Sequence, residues 1–316
     1  MREDKQATNT MTRLFLVTTF DQLAAQSWTQ RAIFAALHAI QSKAQAVNKL
    51  SYYVMAARLE TWLENIENKP PFSLFAVGNA KLPFLNWSTL PGVNCPGAGD
   101  CWNIKKKAAD KWGHCYSLRA YRSAHAVGSW LQNSILERGH FGRALIRQEL
   151  ARILDTPKFR DQKTVTLRLY VDGDFHSLEV LKFWLETARK FPRLRVYGYS
   201  KSLHFFADLV ASGYDFPSNY ALNGSGGGIY TDTGLHNSLK RQPWYRGEFI
   251  SAPVSGNAKS HTRTKDERAQ LRAQFPGEKI FVCPGPCGTC TSIKDTPHAC
   301  GNLDEFKDVK IIIPIH

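Results

Sequence analysis

From Val165 to Ser225 the chain alternates between two hydrophobic rhythms, and that alternation limits the fold more than any other feature. VTLRLYVDGDF (165–175) is a β-branched and aromatic run ending in Asp-Gly-Asp, and LEVLKFWLETARKF (178–191) follows with apolar residues at helical spacing. The strand LRVYGYS, the helix SLHFFADLVASG and the strand SNYALNGSG complete the pattern. Strand, helix, strand, helix, strand at this spacing predicts parallel βα units. FISAPVSG, TKDERAQLRAQF and EKIFVC extend the series to four or five units, enough for a barrel or an incomplete one.

In such folds chemistry gathers where strands end. The polar residues at those ends are Asp172, Asp174 and His176, then Tyr199, Ser200 and Lys201, then Asn223 and Ser225. Asp172, His176 and Lys201 are the candidate catalytic groups, since they supply acid and base chemistry at strand ends. Asp174 and Ser177 also suit the capping of the helix that follows, and capping is favoured for Asp174. Asn223 and the run Gly226, Gly227 and Gly228 form a candidate cofactor-binding turn, because glycine lets backbone N–H groups approach an anionic or nucleotide-like ligand. A plain flexible turn explains the glycines equally well.

Before this region the texture differs. Residues 11–68 contain no proline or glycine and carry helical spacing in AIFAALHAI and SYYVMAARLETWLENI, and Lys69-Pro70-Pro71 ends the stretch. Residues 1–70 therefore read as a helical prefix and 71–316 as a (βα) barrel-like, metal-binding domain with a four-cysteine C-terminal loop. The fold class is α/β, with a partial or complete (βα) barrel-like core and cysteine-rich loops. Residues 72–110 are rich in prolines and glycines and read as turns, and the segment from Cys115 to Leu154 reads as helical.

The seven cysteines fall in two groups, Cys95, Cys101 and Cys115, then Cys283, Cys287, Cys290 and Cys300. The N-terminus lacks the apolar core of a signal peptide and no segment has the unbroken apolar length of a membrane span, so a cytoplasmic location without membrane contact is expected. There disulfides are rare, and an odd number of thiols cannot all pair. Metal ligation is the leading explanation for both groups.

The second group has the spacing C-x3-C-x2-C-x9-C on a loop stiffened by Pro284 and Pro286. Four thiolates so spaced can close around zinc or an iron–sulfur cluster, and [4Fe–4S] is preferred with zinc as the alternative. Its first three cysteines share the spacing of the radical S-adenosylmethionine signature, but Cys300 can fill the fourth position, so a closed structural centre is expected. The first group, C-x5-C-x13-C, offers three ligands and an open position that His114, Asp100 or water could complete.

Lys plus Arg outnumber Asp plus Glu by 41 to 27, a formal charge of +14. That surplus favours a polyanionic partner, DNA or RNA, through counterion release. Between Cys101 and Cys115, Lys105, Lys106, Lys107 and Lys111 lie between Trp102 and Trp112. Lysines attract phosphates and indoles stack bases, so this loop is the candidate nucleic-acid surface. The plainer explanation is a solvated loop with two core tryptophans.

LPFLNWSTLPGVNCPGAGDC (82–101), GHCYSLRA (113–120), the block from LRLYVDGDFHSLEVLKFWLETARKF through YSKSLHFF (167–206) and NYALNGSGGG (219–228) together resemble the gene product 88 family of phages and mobile elements. The resemblance spans roughly residues 80 to 230. More distantly, the order of motifs is similar to phage proteins of the gene product 37/68-like type, themselves similar to radical S-adenosylmethionine barrels. What this resemblance implies is a barrel-like core with the first cysteine trio at its mouth, S-adenosylmethionine as a candidate cofactor beside one or two [4Fe–4S] clusters, and, if the protein is an enzyme, a radical S-adenosylmethionine-type reaction on nucleic acid. The alternative is a non-enzymatic nucleic-acid-binding or host-interference protein whose zinc or closed clusters only staple loops. Substrate and oligomeric state are not encoded in any motif.

Overall fold

The computed structural model describes residues 72–315 except 79–81, 93, 103–114, 118–122, 256–263, 286, 288–289 and 291–298, together with Leu50, Val54 and Ala57. The expected helical prefix lies outside the described residues apart from those last three, which are helical.

A seven-stranded, wholly parallel sheet organises the rest. Its strands are β1 (Leu85–Asn86), β2 (Val165–Leu169), β3 (Leu194–Ser200), β4 (Tyr220–Ser225), β5 (Tyr245–Ala252), β6 (Ile280–Val282) and β7 (Lys310–Pro314). They lie in the order β1-β2-β3-β4-β5-β7-β6. The helices between them are α1 (Ala124–Leu136), α2 (His140–Leu154), α3 (Leu178–Lys190), α4 (Leu203–Ala211), α5 (Leu235–Leu239) and α6 (Lys265–Ala273).

Alternation along the strands decides what each face meets. In β2, Val165, Leu167 and Leu169 are buried and join the main core with Val180, Leu181 and Trp184 of α3 and Phe206 of α4. Each such aliphatic or aromatic side chain contributes about 1.5–3 kcal/mol by leaving water. The intervening positions Arg168 of β2, Tyr197 and Tyr199 of β3 and Asn223 of β4 project to the opposite face. There Tyr197 and Ala221 pack with Phe84, Tyr199, Cys287, Cys300 and Leu303. Helices thus cover one face, and the chain after β6 covers the other.

That arrangement is an open, mixed α/β sheet that does not close among the described residues, which corrects the expectation of a complete barrel. Among the described residues β1 and β6 stand at opposite ends of the strand order and do not pair with each other, and the outer side of β1 carries only an isolated antiparallel bridge between Ala76 and Asn86. β7 also inserts between β5 and β6, which breaks the sequential strand order that a simple closed barrel requires.

The local signals behave as their chemistry dictates. Ser177 caps α3 by accepting from the Val180 N–H at 3.3 Å, and Thr264 and Glu267 close a reciprocal capping box on α6. Among the described residues, no helix is long and apolar enough to cross a membrane.

Candidate metal centre and strand-end site

The first cysteine group lies on the long loop after β1, and the glycines of CPGAGDC explain how that loop seats. A Cβ on Gly97 would stand 2.1 Å from the Lys201 carbonyl oxygen, and one on Gly228 would stand 2.5 Å from the Gly97 carbonyl oxygen. Ala98 pairs with Gly228 in an isolated bridge, and the Ile229 N–H donates to Gly97 at 3.1 Å. Backbone lies directly on backbone, so the cysteine loop is pressed against the turns that end β3 and β4.

Asp174 holds the first of those turns. Its carboxylate is 3% exposed and accepts from Ser200 Oγ (2.7 Å), Phe175 N (2.8 Å), Lys201 N (2.8 Å), Ser202 Oγ (3.1 Å) and Ser202 N (3.2 Å). Burial pushes its pKa up, while these donors pull it back. The expected capping by Asp174 is corrected: Ser177 caps the helix next in sequence, and Asp174 instead holds the turn that leads into α4.

Asp172 accepts from Ser117 Oγ at 2.7 Å and from Ser88 Oγ at 3.4 Å. Burial raises its pKa, with Ser117, Arg168 and Ser88 opposing. His176 places Nδ1 3.0 Å from Glu137 Oε1, and the other Glu137 oxygen accepts from Trp87 Nε1 (3.2 Å) and Tyr170 Oη (3.1 Å). Glu137 is fully buried. Tyr170 holds a positive φ of 52°, an uncommon backbone state for a bulky residue, at the point where β2 ends. The ammonium of Lys201 has no hydrogen-bond or ion-pair partner among the described residues, and it lies close enough to Cys115 to favour the thiolate there.

The candidate cofactor-binding turn is largely committed internally. Asn223 is fully buried, and both of its amide hydrogens are used, on Gly198 O (3.1 Å) and Cys300 O (2.8 Å), while its oxygen accepts from Arg246 Nε at 2.7 Å. Gly226 N donates to Phe249 O at 2.9 Å and Gly228 N to Thr231 Oγ1 at 3.0 Å. Close packing against the cysteine loop, rather than an open cradle of N–H groups, explains Gly228.

No disulfide joins any of the seven cysteines, which form two separate gatherings. Cys95 and Cys115 each lie within electrostatic range of Cys101, and the Cys115 N–H donates to Cys101 O at 2.9 Å. Burial pushes the Cys95 and Cys115 thiols up. Cys283, Cys287, Cys290 and Cys300 gather on the inner face of the sheet around Tyr197 and Tyr199, and burial pushes Cys300 up to about 12. Among the described residues, no group of three or more His, Cys, Asp or Glu side chains converges tightly enough to hold a metal ion as it stands. The ligand shells expected from the spacings are therefore not closed, and ligation would require the sulfurs to move inward.

Of the proposed nucleic-acid loop, Lys105, Lys106, Lys107, Lys111 and Trp112 lie outside the described residues, as does His114. Trp102 is partly buried against the main core, and its indole lies where a Cβ on Gly92 would fall. Its ring is thus committed in part to packing.

Fold and site together define a class: an open, parallel α/β protein with helices on one face and two cysteine groups, one at the strand ends and one on the opposite face. The gene product 88 family model matches residues 57–243, more than half of the chain, and the chain belongs to that family. No curated protein and no solved structure matches it.

Proposed function

We propose that this chain is an iron–sulfur protein of a phage or other mobile element, in which Cys95, Cys101 and Cys115 hold a [4Fe–4S] cluster and the basic protein binds or modifies nucleic acid. The observation that carries the reading is the placement of the trio. Its three thiols follow the first strand of a parallel sheet and lie over the ends of β3 and β4, with Lys201 and Asp172 close by.

Three cysteine ligands leave one iron of such a cluster open to an exchangeable ligand, which is the chemistry a radical S-adenosylmethionine-type protein uses. Around it the chain's own residues have separate tasks. Asp174 fixes the Lys201 turn on which the cysteine loop rests, and Lys201 supplies positive charge beside Cys115. Ser117 and Ser88 hold Asp172 near the same loop, where it can exchange a proton with a bound substrate.

One observation favours a second reading, a non-enzymatic nucleic-acid-binding protein with purely structural metals. Asn223, Gly226 and Gly228 are engaged within the protein, which leaves less of the strand-end turn free to receive a nucleoside. Electron paramagnetic resonance of the reduced protein with and without S-adenosylmethionine separates the two. A signal that S-adenosylmethionine changes in the wild type and not in Cys101→Ser supports the enzyme. A signal indifferent to the nucleoside supports the binding protein, which then predicts affinity for nucleic acid that falls steeply with salt.

A further inference from the structure

The face of the sheet opposite the helices carries two arginines, Arg246 fully buried and Arg168 half-buried, that form no ion pair among the described residues. Arg246 is fully buried, and its guanidinium donates only to neutral oxygens: Asn223 Oδ1 at 2.7 Å, Glu248 O at 3.1 Å, Phe306 O at 3.4 Å and Val309 O. Arg168 lies over the Tyr199 ring at 4.8 Å, with its Nη1 3.9 Å from Cys287 Sγ. Its Nε is buried without a hydrogen-bond partner. Among the described residues neither guanidinium forms an ion pair, whereas Lys310, on β7 nearby, is paired with both Glu248 and Glu278. Asp172 is near enough to feel Arg168, but its oxygens are taken by Ser117 and Ser88.

A buried, uncompensated charge is costly, and buried guanidiniums are ordinarily paired. Two positive charges on this covered face, one of them fully buried, favour further negative charge beside them. Asp172 faces Arg168 and the half-exposed Asp308 faces Arg246, and the other groups around the two guanidiniums are tyrosines and thiols. Cys287 adjoins Arg168, Cys300 interacts with both arginines, and Cys283 and Cys290 complete the gathering around Tyr197 and Cys300. Four neutral thiols supply no charge. Four thiolates around a divalent zinc, or around a [4Fe–4S] core of charge 2+, carry a net charge of −2, the sign that the two arginines favour.

We infer that Cys283, Cys287, Cys290 and Cys300 draw together around a metal into one closed four-thiolate centre on this face of the sheet, with Arg168 and Arg246 as its neighbouring counter-charges. Arg168 acts as a positioning residue: it neutralises the centre and directs a hydrogen bond at the Cys287 sulfur. Asn223 ties the centre to the sheet by donating to the Cys300 carbonyl while its oxygen holds Arg246. The inference does not rest on the first trio holding a cluster.

The test uses the full chain, purified anaerobically, with zinc, iron and sulfide quantified per chain and metal release followed after addition of a chelator. Cys287→Ser is expected to lose the metal of this centre, and a Cys95→Ser/Cys101→Ser variant to retain it, so failure here is distinguishable from failure of the proposal for the trio. Because Cys287→Ser could fold poorly, Arg168 provides the second arm with all cysteines native. Arg168→Gln is expected to release metal roughly 10- to 100-fold faster than wild type, in line with the usual weight of an outer-sphere partner. Arg168→Lys, which keeps the charge, should restore most of that retention. A purified protein without zinc or iron overturns the inference, as does Cys287→Ser with full metal content. So does an Arg168→Gln variant that releases metal at the wild-type rate.

Discussion

Replacing Gly97 with alanine tests whether the cysteine loop must lie on the turn after β3. A Cβ at that position would be 2.1 Å from the Lys201 carbonyl oxygen, 2.3 Å from its carbon and 2.7 Å from Ser202 N. Ordinary contact begins at 3.4 Å, so the two segments must separate by roughly 1.3 Å. The turn resists, because Lys201 N and Ser202 N are both bound to Asp174. The loop carrying Cys95 and Cys101 must therefore lift, breaking the Ala98–Gly228 bridge and the Ile229 N–H to Gly97 bond. Overpacking of this kind costs about 1–3 kcal/mol, and for a domain of this size each kcal/mol lowers Tm by about 2–4 °C. Thermal unfolding followed by circular dichroism should show a fall of several degrees, with reduced metal retention by the trio. An alanine variant with unchanged Tm would refute the close seating described above.

Three further perturbations follow from the same geometry. Asp174→Ala removes the acceptor for three backbone N–H groups and two hydroxyls, and at about 1–3 kcal/mol for each buried donor left unpaired it should cost at least about 3 kcal/mol in a denaturant titration. Glu137→Ala strands Trp87 Nε1, Tyr170 Oη and His176 Nδ1 in the interior, and a loss of about 3 kcal/mol or more is expected, with quenching or shift of the buried Trp87 emission as an independent readout. Asp172 has a folded-state pKa raised by burial, so its contribution to stability is fully present below the unfolded carboxylate range and is lost as pH rises through the raised value. Comparing the pH dependence of stability in wild type and Asp172→Asn should show that decline flattened in the variant, and identical profiles would remove Asp172 as its source.

How much of this was readable beforehand depends on how strongly local chemistry constrained each segment. β2, β3 and β4 were legible because Val165, Leu167 and Leu169, and their counterparts in the next strands, keep a period of two between clearly helical runs. β1 was not, since Leu85 and Asn86 sit in LPFLNW among proline-rich turns and pair for only two residues, a signal too short for periodicity. β7 was missed because KIIIP follows the cysteine loop and has no helix before it to mark a βα unit, so the strand count ended at EKIFVC.

The site was legible as residue types and not as partners. The cysteines and the acidic residues at the end of β2 announced themselves by spacing. Arg168, one position in an alternating strand, reads as solvent-facing until the chain after β6 is seen to cover that face. Glu137, near the end of α1, reads as an exposed helix-end acid, and only tertiary packing reveals that it receives Trp87, Tyr170 and His176. The glycines of GSGGG suggested an open ligand turn, whereas their spatial neighbour is the CPGAGDC loop.

The central claim, that Cys95, Cys101 and Cys115 hold an iron–sulfur centre, is tested most directly by anaerobic purification of the full chain followed by iron, sulfide and zinc analysis with a visible absorption spectrum. The account predicts iron and sulfide in near-equal amounts, about four or eight irons per chain, with the broad visible absorbance of cubane clusters. Zinc without iron, or a colourless protein without metal, would contradict it.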